Sequence, residues 1–129
     1  MINILFGNMS PFVGNPPRPY ADVTLNPSRL GVPTHKCLVD TGADYLLLPG
    51  SAAAASGLSL ARSVTLVVST VGGGVSMQLL TAVAVKIEGY RINVDVLFDP
   101  TNKCPPLAGR GVLLPAFAIG MQSSDWHWT

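Results

Sequence analysis

The segment Asp40–Ala43, with the sequence Asp-Thr-Gly-Ala, is the part of the chain best suited to chemistry. Its aspartate directly follows the apolar strand end Leu38-Val39, and the apolar run Tyr45–Leu48 comes soon after it. An isolated buried carboxylate is strongly disfavoured, so an aspartate in this setting indicates a specific role. Small residues at 42 and 43 let a second backbone or a peptide approach closely, and the Thr41 hydroxyl can donate a hydrogen bond. The same residues also fit an Asp-Thr-Gly tight turn with its side chain in solvent.

Two short strands are predicted to lead up to Asp40. Ala21–Leu25 and Val32–Val39 are rich in β-branched and apolar residues, with turn formers between them. Residues 1–19 are instead rich in proline and glycine, which disfavours helix and central strand. We therefore predict an extended N-terminal segment at 1–19 and a single domain at 20–129.

A β-hairpin is predicted between residues 75 and 98, where apolar residues recur at every second position. If Glu88-Gly89 is its two-residue turn, three apolar pairs face each other: Ile87 with Tyr90, Val85 with Ile92, and Val83 with Val94. Both apolar sets then lie on one side of the hairpin. Regular short strands of this kind indicate an antiparallel-rich barrel or sandwich.

Short helices are predicted at two places. Ser51–Ala55 fits one or two helical turns, with Ser51 as the N-cap and Gly57 at C′, although it is too short to define the fold. Arg110–Leu114 fits another short helix before Pro115.

The composition argues against nucleic-acid and membrane partners. Eight basic and seven acidic residues are scattered singly and leave a formal net charge of +1. No run reaches the roughly 18 apolar residues of a spanning helix, and the apolar run Ile4–Phe6 is short and lacks the basic flank of a signal peptide. We expect a soluble segment, cytoplasmic or excised from a larger precursor. A hydrophobic share of 48% also suggests that some apolar surface lies in a subunit interface.

The cysteines and histidines predict no disulfide framework and no metal site. The chain has two cysteines, Cys37 and Cys104, which are too few for a disulfide framework and are not spaced as metal ligands. His35 and His127 do not complete a site with them. Free thiols in a reducing compartment are the expected state.

The run Leu38–Asp44 resembles the active-site loop of retroviral-type aspartic peptidases, the retropepsins and their bacterial and eukaryotic relatives. The glycine-rich Val71–Val75 is similar to the tip of that family's flap hairpin. Pro106–Leu114 is similar to its Gly-Arg segment at the start of a single helix, and Phe117–Ile119 to the strand that follows. Asp-Thr-Gly alone is common by chance, whereas this combination across residues 20–120 is specific.

The resemblance implies an all-β, single-domain, retropepsin-like closed barrel with one short C-terminal helix, active as a twofold homodimer. The chain holds one Asp-Thr-Gly and one glycine-rich hairpin, so the second catalytic aspartate must come from another copy. Two adjacent carboxylates share a proton, and one activates a water while the other polarises the scissile carbonyl. The implied function is an aspartic endopeptidase acting on extended peptides without a metal or organic cofactor.

The resemblance also assigns roles to individual residues. The catalytic residues are Asp40, Thr41, which supports Asp40, and Gly42 beside them. Peptide binding falls on the loop and the flap tip: Ala43, Asp44, Tyr45, Leu47, Val71, Gly72, Gly73, Gly74 and Val75. Asp44 and Arg110 match the family's structural ion pair near the interface, although each residue taken singly also fits an ordinary surface charge.

Three departures from the viral pattern stand out. The predicted flap lacks the alternating isoleucines of viral flaps, and the alanine run after Pro49 lengthens the following loop, as in cellular or bacterial homologues. The chain also continues to Trp126 and Trp128, which either form a dimer contact or pack locally.

Two other functions stay open from the sequence. A retropepsin-like domain could serve as a dimerisation or peptide-binding module with weak or no turnover, although the intact Asp-Thr-Gly argues against this. An unrelated small β-barrel binding protein is the other alternative, and it would be monomeric at all concentrations.

Overall fold

A computed structural model describes residues 8–115, 117–121 and 124–129 and, at position 70, the backbone only. These described residues form ten strands and two short helices. The strands are β1 (Asn8–Pro11), β2 (Tyr20–Leu25), β3 (Thr34–Val39), β4 (Leu46–Pro49), β5 (Val64–Thr70), β6 (Gly73–Ile87), β7 (Tyr90–Asp99), β8 (Leu107–Ala108), β9 (Ile119–Met121) and β10 (Asp125–Trp128). The helices are α1 (Gly50–Ala55) and α2 (Arg110–Leu113). The predicted all-β class is confirmed.

The larger sheet has seven strands in the order β2-β3-β8-β4-β7-β6-β5, and β2 also pairs with β6. Six of these strands, β2, β3, β8, β4, β7 and β6, therefore form a ring of hydrogen-bonded neighbours, and β5 lies outside the ring. Within the ring, β3 runs parallel to β8, so that Val39 lies beside Ala108. This pairing brings the chain after β3 next to the chain after β8, where Asp40 and Gly109 follow.

The predicted hairpin of β6 and β7 is confirmed in its register. Ile87 lies opposite Tyr90, Val85 opposite Ile92, and Val83 opposite Val94. Both turn residues, Glu88 and Gly89, have positive φ (47° and 85°), as a type I′ turn requires. That turn matches the twist of the strands, so the local sequence is sufficient to set this pairing.

Both short helices that the sequence predicted are present: α2 is the C-terminal helix that the resemblance implied, and α1 is the helix expected in the alanine run. α1 forms in the alanine run, where high helix propensity outweighs its short length. Its N-cap is Pro49 and not Ser51, because the helix already begins at Gly50. Gly57 has φ of +71° directly after the C-cap Ser56, as the sequence predicted for C′.

The two tryptophans pack locally inside one chain. Trp126 is fully buried, and its Nε1 donates a hydrogen bond to the Tyr20 carbonyl oxygen (3.1 Å). Its ring stacks on Trp128, with centroids 4.4 Å apart, and Phe117 meets Trp128 edge-on. Of the two alternatives from the sequence, the structure therefore has local packing.

A second, three-stranded sheet joins the two ends of the described chain. β10 lies between β1 and β9, and Trp128 has Asn8 on one side and Ile119 on the other. β1 lies at an edge, in agreement with the proline-rich composition that excludes this segment from central strands. Residues 8–11 are thereby tied to the C-terminal strand.

His35 gives a testable pH dependence. It lies on β3 opposite Val23, and its Nε2 is buried without a hydrogen-bond partner in the described part of the chain. Burial lowers the pKa of this imidazole. Below an unfolded-state pKa of about 6.5, the unfolded chain binds a proton that the folded chain resists, so stability falls as pH falls.

We expect His35→Leu to flatten the decline in the free energy of unfolding between about pH 7 and pH 5. Urea denaturation of both proteins across this range measures it. The same decline in wild type and variant would mean that another group is responsible.

Candidate active site

The loop after β3 holds Asp40 by its backbone. The Asp40 N–H donates to the Ala108 carbonyl oxygen (3.0 Å), and the Ala43 N–H donates to the Asp40 carbonyl oxygen (3.2 Å). The carboxylate accepts a hydrogen bond at Oδ1 from the Gly42 N–H (3.0 Å). A Cβ at position 42 would lie only 3.2 Å from that oxygen, so glycine leaves room for this turn. Asp40 is half-buried, and Thr41 is exposed beside it.

The start of α2 clamps the other side of the loop. Three successive N–H groups donate to three successive carbonyls: Gly109 to Tyr45 (3.1 Å), Arg110 to Ala43 (2.8 Å) and Gly111 to Asp44 (2.9 Å). N–H groups at a helix start have no partner within the helix, so loop carbonyls can take them. The backbones approach so closely that a Cβ at position 111 would lie 2.7 Å from the Asp44 carbonyl oxygen.

A salt bridge accompanies this backbone clamp. Arg110 Nη2 contacts Asp44 Oδ1, the pair that the resemblance implied. The side chains are 51% and 71% exposed, respectively, so solvent screens their attraction. The backbone hydrogen bonds therefore contribute more to holding the loop than the ion pair does.

Asp44→Asn is expected to lower the free energy of unfolding by only about 0.5 kcal/mol. Urea denaturation measures it, and Lys36→Gln, which breaks the similarly exposed Lys36–Asp22 pair, is the comparison variant. If the free energy of unfolding fell by about 2 kcal/mol or more for Asp44→Asn alone, the ion pair would be a main stabilising contact of the loop.

An apolar cleft of about 590 Å³ opens beside the Asp40 loop. The loop side consists of Gly42, Ala43, Asp44, Tyr45 and Leu47. The remaining walls come from β5, β6, β7 and the chain before α2: Leu66, Val67, Val68, Ser69, Met77, Leu97, Cys104, Pro105 and Leu107. Asp44 is the one acidic side chain in this lining, and the described lining holds no basic side chain.

Residues 22–121 match the protein-family model described as Aspartyl protease. The match spans most of the chain, including the Asp40 loop, the described cleft and α2. The chain belongs to the aspartyl protease family. The family resemblance inferred from the sequence is thereby confirmed. A comparison with curated proteins finds no match.

For this aspartyl protease family member, the structure brings together only part of the predicted substrate-binding set. Ala43, Asp44, Tyr45 and Leu47 line the cleft, whereas Val71–Val75 lie at the far end of the β5–β6 hairpin, outside the lining. The turn of that hairpin is Val71-Gly72, and the two glycines that follow belong to β6. Val71 is fully exposed.

Several cleft residues carry no signal that identifies them from sequence. Leu66 and Val68 lie in an apolar run with strand propensity, but that pattern does not show which face meets the cleft. Cys104 and Pro105 follow turn formers in the sequence, and only the path of the folded chain brings them to the cleft.

The described part of the chain contains no group of three or more His, Cys, Asp or Glu side chains that could hold a metal ion. None of its helices is long and apolar enough to cross a membrane.

Proposed function

We propose that this protein is an aspartic endopeptidase that hydrolyses extended peptides with two Asp40 carboxylates, one from each subunit of a homodimer. The observation that carries the proposal is the half-buried Asp40 on a backbone-clamped loop whose next residues line an apolar cleft. In this proposal the ring of strands is the closed barrel of a retropepsin-like fold.

The chemistry requires both carboxylates. Two carboxylates within a few Å cannot both ionise readily, so the pair holds one proton near neutral or acidic pH. The ionised member removes a proton from a water, and the protonated member donates a hydrogen bond to the scissile carbonyl as charge develops on its oxygen. Gly42 leaves space for this water and for the peptide, and Thr41 supports the pair across the twofold axis.

The cleft favours apolar substrate side chains. Leu47, Leu66 and Leu107 present aliphatic surface to it, and burying an apolar side chain there contributes roughly 25 cal/mol per Å². An acidic side chain would lose hydration without a basic partner in the described lining. We propose that the β5–β6 hairpin acts as the flap, with β5 meeting the peptide along Leu66–Ser69.

The free edge of β9 supports a twofold contact. Ala118 exchanges backbone hydrogen bonds with Thr129, so the peptide groups of Ile119 and Met121 point away from β10. Among the described strands β9 pairs with β10 alone, and the opposite edge, β1, includes Pro11, which has no N–H. We propose that β9 pairs with β9 of a second copy about an axis near Gly120.

Cleavage of a diverse peptide library at acidic and neutral pH tests the proposal, with the dimer fraction measured in parallel by analytical ultracentrifugation. We expect cleavage next to apolar residues, a specific activity that rises with protein concentration, and inhibition by a statine peptide, whose hydroxyl mimics the hydrated carbonyl. No cleavage by a well-formed dimer would favour a peptide-binding or dimerisation module. A strict monomer that cleaves peptides would contradict the shared site.

A further inference from the structure

A buried carboxylate outside the proposed catalytic pair organises one wall of the cleft. Asp99, the last residue of β7, is fully buried. Its oxygens accept four hydrogen bonds from the chain that follows: Oδ1 from the Thr101 N–H (2.9 Å) and hydroxyl (2.7 Å), and Oδ2 from the Lys103 N–H (2.9 Å) and the Cys104 N–H (2.8 Å). One side chain thus holds a whole loop.

The hydrogen bonds that Asp99 accepts favour the ionised form of its carboxylate. Burial alone would raise its pKa, but the hydrogen bonds from Cys104 and Thr101 outweigh burial and lower the pKa well below the usual range. A lowered folded-state pKa stabilises the fold above the unfolded-state value of about 3.9. This stabilisation is lost only as pH falls from there through the folded-state pKa, so the loop stays held at mildly acidic pH.

The loop that Asp99 holds leads directly into the cleft. Cys104 and Pro105 line the cavity, and the next residue, Pro106, accepts a hydrogen bond at its carbonyl from the Leu38 N–H (3.0 Å). The loop is thus fixed at one end by Asp99 and at the other by β3, close to Asp40. The Asn102 side chain also accepts a hydrogen bond from the Ser51 N–H (2.9 Å) at the start of α1.

We propose that Asp99 is a positioning residue for substrate selection: by holding residues 101–104, it sets Cys104 and Pro105 as a cleft wall and so determines which side chains fit. Asp99 itself is not part of the cleft lining. The effect on selection rests on the proposed peptidase function, whereas the positioning of the wall is measurable without turnover.

The Cys104 thiol reports on the position of the wall. Burial raises its pKa, and the hydrogen bond and charge of Asp99 raise it further. Cys37 serves as an internal control for unfolding, since it is fully buried and burial raises the pKa of its thiol to about 12. Alkylation by iodoacetamide, followed at each cysteine by peptide mass mapping across a pH series, distinguishes the two thiols.

We expect Asp99→Asn to speed alkylation of Cys104 about tenfold and to shift the midpoint of its pH profile downward, while Cys37 stays protected. Thr101→Val, which removes only the hydroxyl donor, should give a smaller increase with an unchanged midpoint, because the carboxylate remains. Asp95→Asn is the control, since it removes an exposed carboxylate from the same strand. It should react as wild type does.

Two results would overturn the proposal. One is a Cys104 rate and pH profile in Asp99→Asn equal to those of wild type. The other is parallel exposure of Cys37 and Cys104, which would make Asp99 a general stabilising residue. Should Asp99→Asn fail to fold, Thr101→Val decides, because an unchanged Cys104 rate there also contradicts the proposal.

Peptide selection provides the second readout. In an active protein, Asp99→Asn should change KM and side-chain preference at one subsite with little change in kcat, and an unchanged preference would exclude a role in selection. A wild type that cleaves nothing would refute the peptidase function and leave the thiol measurement of positioning as it stands.

Discussion

Asp40→Asn is expected to lower the rate of peptide cleavage by about 10³-fold or more while the protein stays folded and dimeric. Asparagine keeps the size of the side chain and the oxygen that accepts the Gly42 N–H. It removes the charge that takes a proton from water and the proton that the pair shares. Rates with the best library peptide measure the effect, and analytical ultracentrifugation checks the dimer.

Mixing experiments strengthen this test. When Asp40→Asn protein is added in excess to wild type, mixed dimers have one carboxylate, so activity should fall as wild-type subunits are drawn into them. The control is Asp95→Asn, which should neither lose activity nor suppress that of wild type. Cleavage by Asp40→Asn at the wild-type rate would rule out Asp40 as the group that activates water.

Gly109→Ala is expected to have the largest effect on stability, about 3 kcal/mol, and to abolish activity in the protein that remains folded. A Cβ at this position would collide with the Tyr45 carbonyl oxygen and lie 2.6 Å from that of Ala43. Both neighbours are backbone atoms of the loop that holds Asp40, so relief of the collision would displace the loop. Gly109 has φ of −89°, which alanine adopts readily, so the cost arises from the collision alone.

Gly31→Ala is the comparison for this prediction. Gly31 has φ of +78° and no atom within 4 Å of an added Cβ, so alanine there should cost only the left-handed backbone penalty of about 1 kcal/mol. Urea denaturation and cleavage rates compare the two variants. A Gly109→Ala protein as stable and active as Gly31→Ala would mean that the loop does not depend on this close contact.

Local features were the most predictable from the sequence. The β6–β7 hairpin follows from alternation and from Glu88-Gly89, because strand period and turn type are set by neighbouring residues. The family was recognisable from Leu38–Asp44 together with the motifs at Val71–Val75 and Pro106–Leu114, because each motif is a short contiguous run of residues. The helical tendency of 51–55 was also visible, although its N-cap was not.

Features built from distant segments were not predictable. The three hydrogen bonds from residues 109–111 to 43–45 exist because β3 and β8 pair in parallel, and no local pattern encodes that pairing. Substrate contacts at Val71–Val75 stay a prediction, whereas the part of the hairpin that lines the described cleft, Leu66–Ser69, could be located only from the fold. Trp126 and Trp128 could have faced a partner until the fold placed them against the core.

Asp99 shows most clearly the difference between what the sequence determines and what tertiary packing determines. In the sequence it is an acidic residue at the end of an apolar run, followed by the turn formers Pro100 and Asn102, and nothing distinguishes it from a solvated strand end. The amino-acid sequence specifies the family, the strands and the Asp-Thr-Gly loop, because these depend on residues close in the chain. The buried hydrogen bonds of Asp99, the clamp on the Asp40 loop and the walls of the cleft depend on which strands meet, and only tertiary packing decides that.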